Sequence, residues 1–410
     1  MSAATPVPTP EQLAWQRLEV GAFFHVGVNT FAGLEWSDGT LAPETFAPTD
    51  LDAGGWLDVA VAGGARYAIL TAKHHDGFCL WPTETTDYSV ASSPWRGGDG
   101  DLVREFVDAC RERGVLPGLY LSPWDRHDPR YPDPAAYMDV YVAQLTELCT
   151  RYGPLVEIWF DGAGSEGYTY DWSRIMGVVR EHQPQAMVFN MGTPTIRWVG
   201  NEDGLAADPV EYVVADTRTS NYTADTVGLA RAAYLPPECD VSVRRGWFWS
   251  ADDEPKTLEH LLGIYYRSVG LGANLLLNVP PDARGRIDPA DDAVVRAFGA
   301  EVRRRFSTPV DLESSTSVDH LRLHEDLTHG QRVATHEIEA RGAVVARGLT
   351  VGAGRLHVLA EPVPARELRI RVTGQGAALA GVEAFATGHT SAPDVPADYR
   401  APTERPDAVV

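Results

Sequence analysis

Apolar residues over the first three quarters of the chain alternate between short continuous runs and segments with helical spacing. Runs typical of strands covered on both faces occupy residues 22–28, 67–72, 116–122, 155–160, 186–190 and 273–279. Between these runs, apolar residues recur at spacings of three and four, most clearly over residues 134–152, where Gly153 and Pro154 end the pattern. This alternation is typical of a parallel β/α architecture.

The strand and helix units predict an α/β fold, a (β/α)8-like TIM barrel with irregular stretches. Further helices are indicated over residues 102–110 and 258–269, where apolar side chains share one face. Residues 193–243 show no clear strand or helix bounds. We therefore expect the barrel to be least regular there.

The pattern changes after residue 306, where tryptophan disappears from the sequence. Short strand-like segments take over, separated by turns rich in glycine, alanine and proline, at residues 321–323, 343–349, 355–359 and 367–372. We predict three parts: a barrel domain over residues 1–306, a small C-terminal β-sandwich over 307–390 and a loose tail over 391–410.

Acidic side chains outnumber basic ones by 57 to 35, which gives the 410-residue chain a formal net charge of −22. That charge should repel nucleic acid and anionic membrane surfaces, so a neutral or cationic ligand is expected. The four cysteines are widely separated and lack CxxC spacing, which predicts reduced thiols.

Residues 1–10 are polar and proline-rich, without the basic start and apolar stretch of a secretory signal, so a cytoplasmic location is expected. The stretch closest to membrane length, residues 258–279, contains Glu259, His260 and Arg267 and is not expected to span a bilayer.

Polar residues recur at the carboxyl ends of the early predicted strands. They are His25 in the latter part of the first strand, His74, His75 and Asp76 after the second, Ser122, Trp124 and Asp125 at the third, and Asp161 after the fourth. In a β/α barrel these strand ends assemble the active site. Because buried polar groups are costly unless they are paired or used, the series indicates a ligand site.

Asp161 and the two adjacent histidines each have more than one interpretation. Asp161 tips an apolar strand before Gly162, which suits a nucleophile but also a helix N-cap or a loop carboxylate. His74 and His75 can bind sugar hydroxyls, ligate a metal or fill a structural role. No HxH, HExxH or clustered cysteine accompanies them in the sequence, which disfavours zinc.

Tryptophan is frequent, with eleven residues in the chain. Indole rings pack against the C–H faces of sugars, although large aromatic side chains also fill cores. Three acidic candidates, Glu35, Asp125 and Glu202, have tryptophans close by in the sequence. That proximity favours a carbohydrate ligand.

Seven short motifs follow one another along the chain: residues 23–31 (FFHVGVNTF), 35–40 (EWSDGT), 74–78 (HHDGF), 119–127 (LYLSPWDRH), 159–162 (WFDG), 200–202 (GNE) and 274–279 (NLLLNV). Taken together and in this order, they resemble glycoside hydrolase family 29, the α-L-fucosidases. The segments at 122–127 and 200–202 resemble the subfamily selective for α-1,3 and α-1,4 linkages. The resemblance spans about residues 11–306.

The resemblance implies a retaining double displacement without metal or organic cofactor, acting on a fucosylated oligosaccharide. Asp161 would be the nucleophile and Glu202 the acid/base, with carboxyl groups about 5 to 5.5 Å apart. Hydroxyl contacts would come from His25, Glu35, His74, His75 and Tyr120. Trp36 and Trp247 would face the C5 methyl and the ring, and Trp124 and Asp125 are candidates for contacts with the aglycone.

Three other functions stay open at this stage. A related exo-glycosidase could act on another sugar, such as a galactoside with the configuration of fucose. A barrel that binds carbohydrate without turnover is a second possibility, although the presence of both Asp161 and Glu202 disfavours it. Metal-dependent hydrolysis is a third, and it predicts that chelators abolish activity. The sequence does not reveal the oligomeric state.

Overall fold

The computed structural model describes residues 6–165, 167–218, 226–397 and 399. Its first ten strands are β1 (Val20–Phe24), β2 (Tyr67–Lys73), β3 (Leu116–Leu121), β4 (Glu157–Trp159), β5 (Met187–Phe189), β6 (Arg197–Trp198), β7 (Val213–Arg218), β8 (Thr226–Tyr234), β9 (Pro237–Ser242) and β10 (Asn274–Asn278). The helices are α1 (Pro10–Gln16), α2 (Val28–Ala32), α3 (Ala53–Gly63), α4 (Leu102–Glu112), α5 (Pro134–Arg151), α6 (Trp172–His182), α7 (Leu258–Arg267) and α8 (Pro289–Phe306).

Eight parallel strands form one sheet in the order β5-β4-β3-β2-β1-β10-β9-β6. A single parallel bridge between Phe189 and Ile196 joins the two ends of this order, so the sheet is a nearly closed barrel. Spatial order follows chain order once the hairpin of β7 and β8 is set aside. The predicted (β/α)8-like barrel is therefore confirmed, as is its irregularity.

The longer outer helices begin where the sequence supplies a capping side chain. The residue before each of these helices is an aspartate or threonine whose side chain accepts a hydrogen bond from a backbone N–H of the first turn. These residues are Asp52, Asp101, Asp133, Asp171, Thr257 and Asp288. Such caps satisfy amides that would otherwise lack a partner and contribute about 1 kcal/mol each. They also fix where each strand-to-helix connection ends.

The first strand is shorter than the prediction over residues 22–28. It ends at Phe24, so His25 lies just beyond the strand rather than within it, and Val28 begins α2. Buried Asn29 explains the early departure, because its amide donates to the Glu35 carbonyl (3.2 Å) and to Asp76 Oδ2 (3.1 Å). These bonds draw the chain away from the sheet.

The segment without clear bounds in the sequence holds the irregular part of the barrel. Among the residues that the structure describes between β5 and β9 there is no helix, and the antiparallel hairpin of β7 and β8 takes its place. Strand β6 has only two residues. This side of the barrel therefore lacks the helical cover of the other strands.

Carboxyl groups and aromatic rings fill the barrel interior together. The Trp15 indole donates to Glu157 (2.9 Å), and the Trp159 indole (2.9 Å) and the Tyr67 hydroxyl (2.5 Å) donate to Glu238. Burial raises the pKa of Glu157 well above its usual range, and the neighbouring Glu238 raises it further. At the next level the Trp198 indole donates to Asp240 (2.7 Å), whose pKa burial also raises, because the charged form is disfavoured away from water.

The C-terminal part is a small β-sandwich, as predicted. Strands β11 (Ser317–Glu325), β12 (Thr335–Ala340), β13 (Ala343–Gly348), β14 (Arg355–Pro364), β15 (Arg369–Thr373) and β16 (Leu379–Phe385) form two three-stranded antiparallel sheets. Their inner faces share an apolar core that includes Leu321, Leu323, Ile338 and Leu359, distinct from the barrel core. Alternate residues along β12 are buried, which is the period-two pattern of a half-covered strand.

Other expectations concern the chain ends, the thiols and the membrane. Residues 1–5, 398 and 400–410 lie outside the described residues, so the looseness of the whole tail stays a prediction, but Val395 packs against the barrel core. All four cysteines are buried free thiols. No helix in the described part of the chain is long and apolar enough to cross a membrane.

Candidate active site

Most of the predicted site residues meet at the carboxyl end of the barrel. The His25 ring lies 5.7 Å from His74, 6.1 Å from Tyr120 and 5.0 Å from Trp247, centroid to centroid. The His74 and His75 rings are 4.1 Å apart. Side chains separated by more than 200 positions in the chain thus line one pocket, because parallel strands deliver their carboxyl ends to the same rim.

Asp161 follows β4, and its carboxylate is oriented by two donors. The Tyr120 hydroxyl donates to Oδ2 (3.1 Å), and the Ala163 amide donates to Oδ1 (2.9 Å). His75 Nε2 lies 3.6 Å from Oδ2, and 27% of the side chain remains exposed. The carboxylate is therefore fixed in direction but still open to a ligand.

The hydrogen bonds of His75 determine its tautomer. Its Nδ1 lies 2.7 Å from the Ser122 hydroxyl, which itself donates to the Trp124 carbonyl (2.8 Å). Ser122 must then accept from Nδ1–H, which leaves Nε2 without a proton in the neutral ring. Burial lowers the pKa of His75 to about 4, so the ring is neutral at pH 7. Nε2 is thus an acceptor that points toward Asp161.

His25 is held in the same way by Asn278, at the end of β10. The Asn278 amide donates to Ser242 Oγ (2.9 Å) and to the Trp247 carbonyl (2.8 Å), so its Oδ1 accepts from His25 Nδ1 (2.9 Å). Burial lowers the pKa of His25 to about 3. Asn278 was not predicted as a site residue, although its place as the last residue of a strand follows the same pattern as His74 and Asp161.

His74 lies between the other two histidines. Its ring stacks on Tyr120 at a 12° interplanar angle and meets Phe248 edge-on. Burial lowers the pKa of His74 well below its usual range. Its Nδ1 is buried and has no hydrogen-bond partner within the described residues. A neutral imidazole with an unused polar atom suits an uncharged polar ligand.

Glu35 orients the turn that carries Trp247. Its carboxyl oxygens accept the amide protons of Trp247 (2.9 Å) and Phe248 (3.3 Å). A Cβ on Gly246 would lie 2.1 Å from Glu35 Oε1, so a larger residue at that position would displace the Glu35 carboxyl group. Burial raises the pKa of Glu35 to about 7.

Trp36 and Trp124 form an aromatic wall beside His75. Trp36 meets His75 edge-on at 5.3 Å and Trp124 at 5.4 Å between ring centroids, and Trp124 lies 5.0 Å from His75. A Cβ on Gly164 would fall 1.9 Å from the Trp124 ring, so the loop after β4 packs directly on this wall. The wall therefore joins His75 to the loop that follows Asp161.

Glu202 lies in the loop after β6, and Trp247 connects it to the other site residues. The Trp247 indole donates to Glu202 Oε2 at 3.3 Å, and its ring packs on His25. Contacts therefore lead from Asp161 through Tyr120, His25 and Trp247 to Glu202. The two acidic residues lie at the same end of the barrel, and a separation of about 5 to 5.5 Å between their carboxyl groups stays a prediction.

Asp125 is the predicted site residue that the structure does not bring to the pocket. Its side chain is 3% exposed and bonds the buried Lys73 ammonium (2.9 Å) and the Tyr137 hydroxyl (3.3 Å). Its other oxygen accepts the amides of His127 and Asp128. Lys73, which precedes His74 at the end of β2, was not among the residues predicted from the sequence. This pair ties the loops after β2 and β3 to each other.

Metal ligation was an alternative for the paired histidines. Across residues 6–165, 167–218, 226–397 and 399, no group of three or more His, Cys, Asp or Glu side chains is placed to hold a metal ion. The His75 and His25 ring nitrogens described above instead bond a hydroxyl and an amide.

Comparisons with known proteins identify one family. The family described as alpha-L-fucosidase matches residues 25–304. Alpha-L-fucosidase 1 of Arabidopsis thaliana is 43% identical over 312 residues, which cover 74% of this chain and 61% of that protein. The tissue alpha-L-fucosidase of Rattus norvegicus is 28% identical over 273 residues, 60% of this chain and 52% of that protein. The chain thus spans less than two thirds of the length of either relative.

Solved structures match over nearly the whole chain. A glycoside hydrolase 29 family member from an unknown rumen bacterium is 33% identical with a TM-score of 0.84, and the match covers 99% of this chain and 81% of that one. A GH29 fucosidase of Ruminococcus gnavus in complex with fucose is 29% identical with a TM-score of 0.82, over 94% and 96% of the two chains. Together with the family match over more than half of the sequence, these likenesses show that the chain belongs to the α-L-fucosidases of glycoside hydrolase family 29.

Proposed function

We propose that this protein is a retaining exo-α-L-fucosidase that removes terminal α-1,3- and α-1,4-linked fucose from oligosaccharides. The observation that carries the proposal is the Asp161 carboxylate, which two donors hold at the carboxyl end of β4 while 27% of it stays exposed. An oriented, accessible carboxylate bordered by neutral histidines is what a glycosyl nucleophile requires.

The proposed reaction has two displacements at the anomeric carbon. In the first, Asp161 forms an ester bond with that carbon as the bond to the aglycone oxygen breaks, and the Glu202 carboxyl gives its proton to that oxygen. In the second, the Glu202 carboxylate takes a proton from water, whose oxygen bonds the anomeric carbon as Asp161 departs. Two inversions restore the original configuration.

Neutral histidines favour a sugar over an anion in the pocket. The tautomers derived above leave Nε2 of His25 and of His75 as acceptors, and a sugar hydroxyl can donate to each. A hydroxyl near His75 Nε2 would also reach Asp161 Oδ2, 3.6 Å away. The two rings thus offer hydrogen bonds without a positive charge of their own.

Selection of fucose over a galactoside depends on the apolar side of the pocket. Fucose lacks the 6-hydroxyl, so an aromatic wall at C5 would reject hydroxylated hexoses through desolvation. Trp247 and Trp36, with Phe248, supply such surface around the histidines. The fucose complex of the Ruminococcus gnavus relative supports this choice of sugar.

Linkage selectivity is assigned to the loops after β3 and β6. Trp124 lies on the aromatic wall beside His75, and the loop after β4 packs on it. The Arg126 guanidinium lies 5.2 Å from the Trp124 ring centroid and adds a polar edge to the wall. These residues belong to the segment that resembles the linkage-selective subfamily.

The test is incubation with fucosylated trisaccharides carrying α-1,2, α-1,3 or α-1,4 bonds, with products followed by NMR from the first turnover. We expect α-fucose to form first, from the α-1,3 and α-1,4 substrates only and equally with a chelator present. Initial β-fucose would refute retention, and cleavage of the α-1,2 bond would refute the linkage assignment. The matching α-galactosides are incubated in parallel, and release from them but not from the fucosides would favour the related exo-glycosidase. No release from either set would favour the non-catalytic barrel.

A further inference from the structure

The chain after the sandwich returns to the barrel and lies on α7. A Cβ on Gly263, in the middle of that helix, would come within 2.9 Å of the Asp394 carbonyl oxygen and of Val395 Cγ2. Val395 packs against the barrel core, although the sequence predicts a loose tail here. Because Gly263 has no side chain, the backbone of residues 394–395 packs directly against the helix at this position.

A turn after residues 394–395 places Tyr399 over the start of α7. The Tyr399 amide donates to the Pro396 carbonyl (3.1 Å). Its ring lies with the centroid 4.4 Å from the Lys256 ammonium and 4.7 Å from the His260 ring, which it meets at 79°. The aromatic face thus covers a buried cation, a contact that strengthens as water is removed.

Lys256 connects Tyr399 to the acid/base side of the active site. Its ammonium donates to the carbonyls of Ser242 and Arg244, at 2.6 Å each, and is 7% exposed as a residue. These carbonyls immediately precede the turn whose Trp247 donates to Glu202. The ammonium therefore fixes the base of that turn, and the tyrosine ring shields the ammonium from water.

The charged groups around Tyr399 place it close to the same site. Burial raises the pKa of Tyr399, the acidic side chains of Asp203, Asp253 and Glu202 raise it further, and Arg245 lowers it. Burial lowers the pKa of Lys256 to about 7, while Asp253 and Asp203 raise it and Arg245 lowers it. Tyr399 is thus within electrostatic range of the loop that carries the acid/base residue.

We infer that Tyr399 is a positioning residue for Glu202, acting through Lys256 and Trp247, and that residues 394–397 are the strap that holds it in place. This inference rests on the proposed function. It concerns protonation of the leaving group, so it predicts a defect that depends on the leaving group rather than a general loss of activity.

The experiment compares kcat/KM for an α-1,3- or α-1,4-fucosylated trisaccharide with that for 4-nitrophenyl α-L-fucoside, whose leaving group needs little protonation. Tyr399→Ala should lower the trisaccharide value about tenfold and leave the aryl value near that of the wild type. Tyr399→Phe keeps the ring over the ammonium and should retain most of the trisaccharide activity. Equal losses on both substrates, or no loss on either, would overturn the inference.

A second pair of variants tests the strap without changing the tyrosine. Gly263→Ala should displace residues 394–395 and give the same selective loss, even though alanine favours the helix. Gly177→Ala on α6 is the matched control, because a Cβ there meets nothing within 4 Å, and both activities should persist. Thermal unfolding of each variant identifies a loss of fold. Wild-type protein that releases no fucose would refute the proposed function itself, whereas an active wild type with an unselective Gly263→Ala variant would refute only the strap.

Discussion

The two sides of the barrel hold their acidic residues in different ways. On the side of β1 to β4 each strand is followed by one long helix with a side-chain N-cap, from α3 to α6 in turn. Asp161 follows the last of these strands and is bonded by Tyr120 and Ala163. On the side of β5 to β9 the described residues form a hairpin instead of helices, and Glu202 lies on a loop. Its contact with the Trp247 indole, at 3.3 Å, is near the long limit for a hydrogen bond.

This difference matches the two tasks of the proposed mechanism. A nucleophile must approach one carbon along one direction, so a fixed carboxylate reduces the entropy lost at the transition state. An acid/base residue serves two oxygens in turn, that of the aglycone and that of water. A carboxyl group on a loop, held by a contact such as that with Trp247, suits an acid/base that serves both oxygens. Substitutions on the two sides should therefore differ in size and in substrate dependence.

The largest effect is expected from Asp161→Ala. Loss of the nucleophile should lower kcat at least about 10⁴-fold on every fucoside, because no ester can form. Fucose binding, measured by calorimetry, should persist, since the histidines and aromatic rings remain. Turnover close to that of the wild type would contradict the assignment of the nucleophile.

Glu202→Gln should give a smaller loss that depends on the substrate. We expect kcat/KM to fall by about 10² to 10⁴ for trisaccharides, because general acid catalysis is worth roughly that factor. For 4-nitrophenyl α-L-fucoside the same parameter should change little. A uniform loss on both substrates would contradict the role given to Glu202.

Lys73→Met tests the rigid side through stability. The variant leaves Asp125 buried without its cation, which should cost about 3 to 5 kcal/mol in the free energy of unfolding, measured in urea. Arg174→Met, which removes an exposed partner of Asp139, is the control and should cost less than about 1 kcal/mol. If the two variants lose the same stability, the Lys73 pair does not fasten the loops after β2 and β3.

The smallest effect is expected from Trp247→Phe. The phenyl ring can still pack on His25, but the bond to Glu202 is lost, which should lower trisaccharide kcat/KM by about three- to tenfold. Trp249→Phe is the matched control, because the Trp249 indole nitrogen is buried without a hydrogen-bond partner in the described part of the chain. Equal effects of the two substitutions would contradict a role of the Trp247 indole in positioning Glu202.

The regular side of the barrel is also the one that the sequence predicts well. Continuous apolar runs and helical spacing locate β2 and α5 to within a residue or two, because strands covered on both faces and capped helices leave strong local patterns. The sandwich strands were found only in fragments. Hairpin strand β8 is mostly exposed and has no such pattern, so residues 193–243 could not be divided in advance.

Site residues divide along similar lines. His75 and Asp161 were predictable because each closes a strand and belongs to a family motif. Asp125 looked equivalent, but a buried lysine earlier in the chain bonds its carboxylate, and no spacing rule pairs Lys73 with it. Tyr399 lies more than 130 residues from the Lys256 ammonium that it covers, in a proline-rich segment with little apolar content. Such contacts depend on tertiary packing rather than on local pattern.

The buried acids inside the barrel make the charge of the native protein differ from its formal charge. Burial raises the pKa of Glu157 and of Asp240 well above its usual range, so both side chains keep their protons up to a higher pH than the formal charge of −22 assumes. Unfolding hydrates these groups and releases those protons to the buffer. Because the native state binds more protons than the unfolded state, this contribution weakens the fold as pH rises above about 4, the ordinary range of carboxyl groups. The protons that these acids release on denaturation at pH 7 can be followed with an indicator dye.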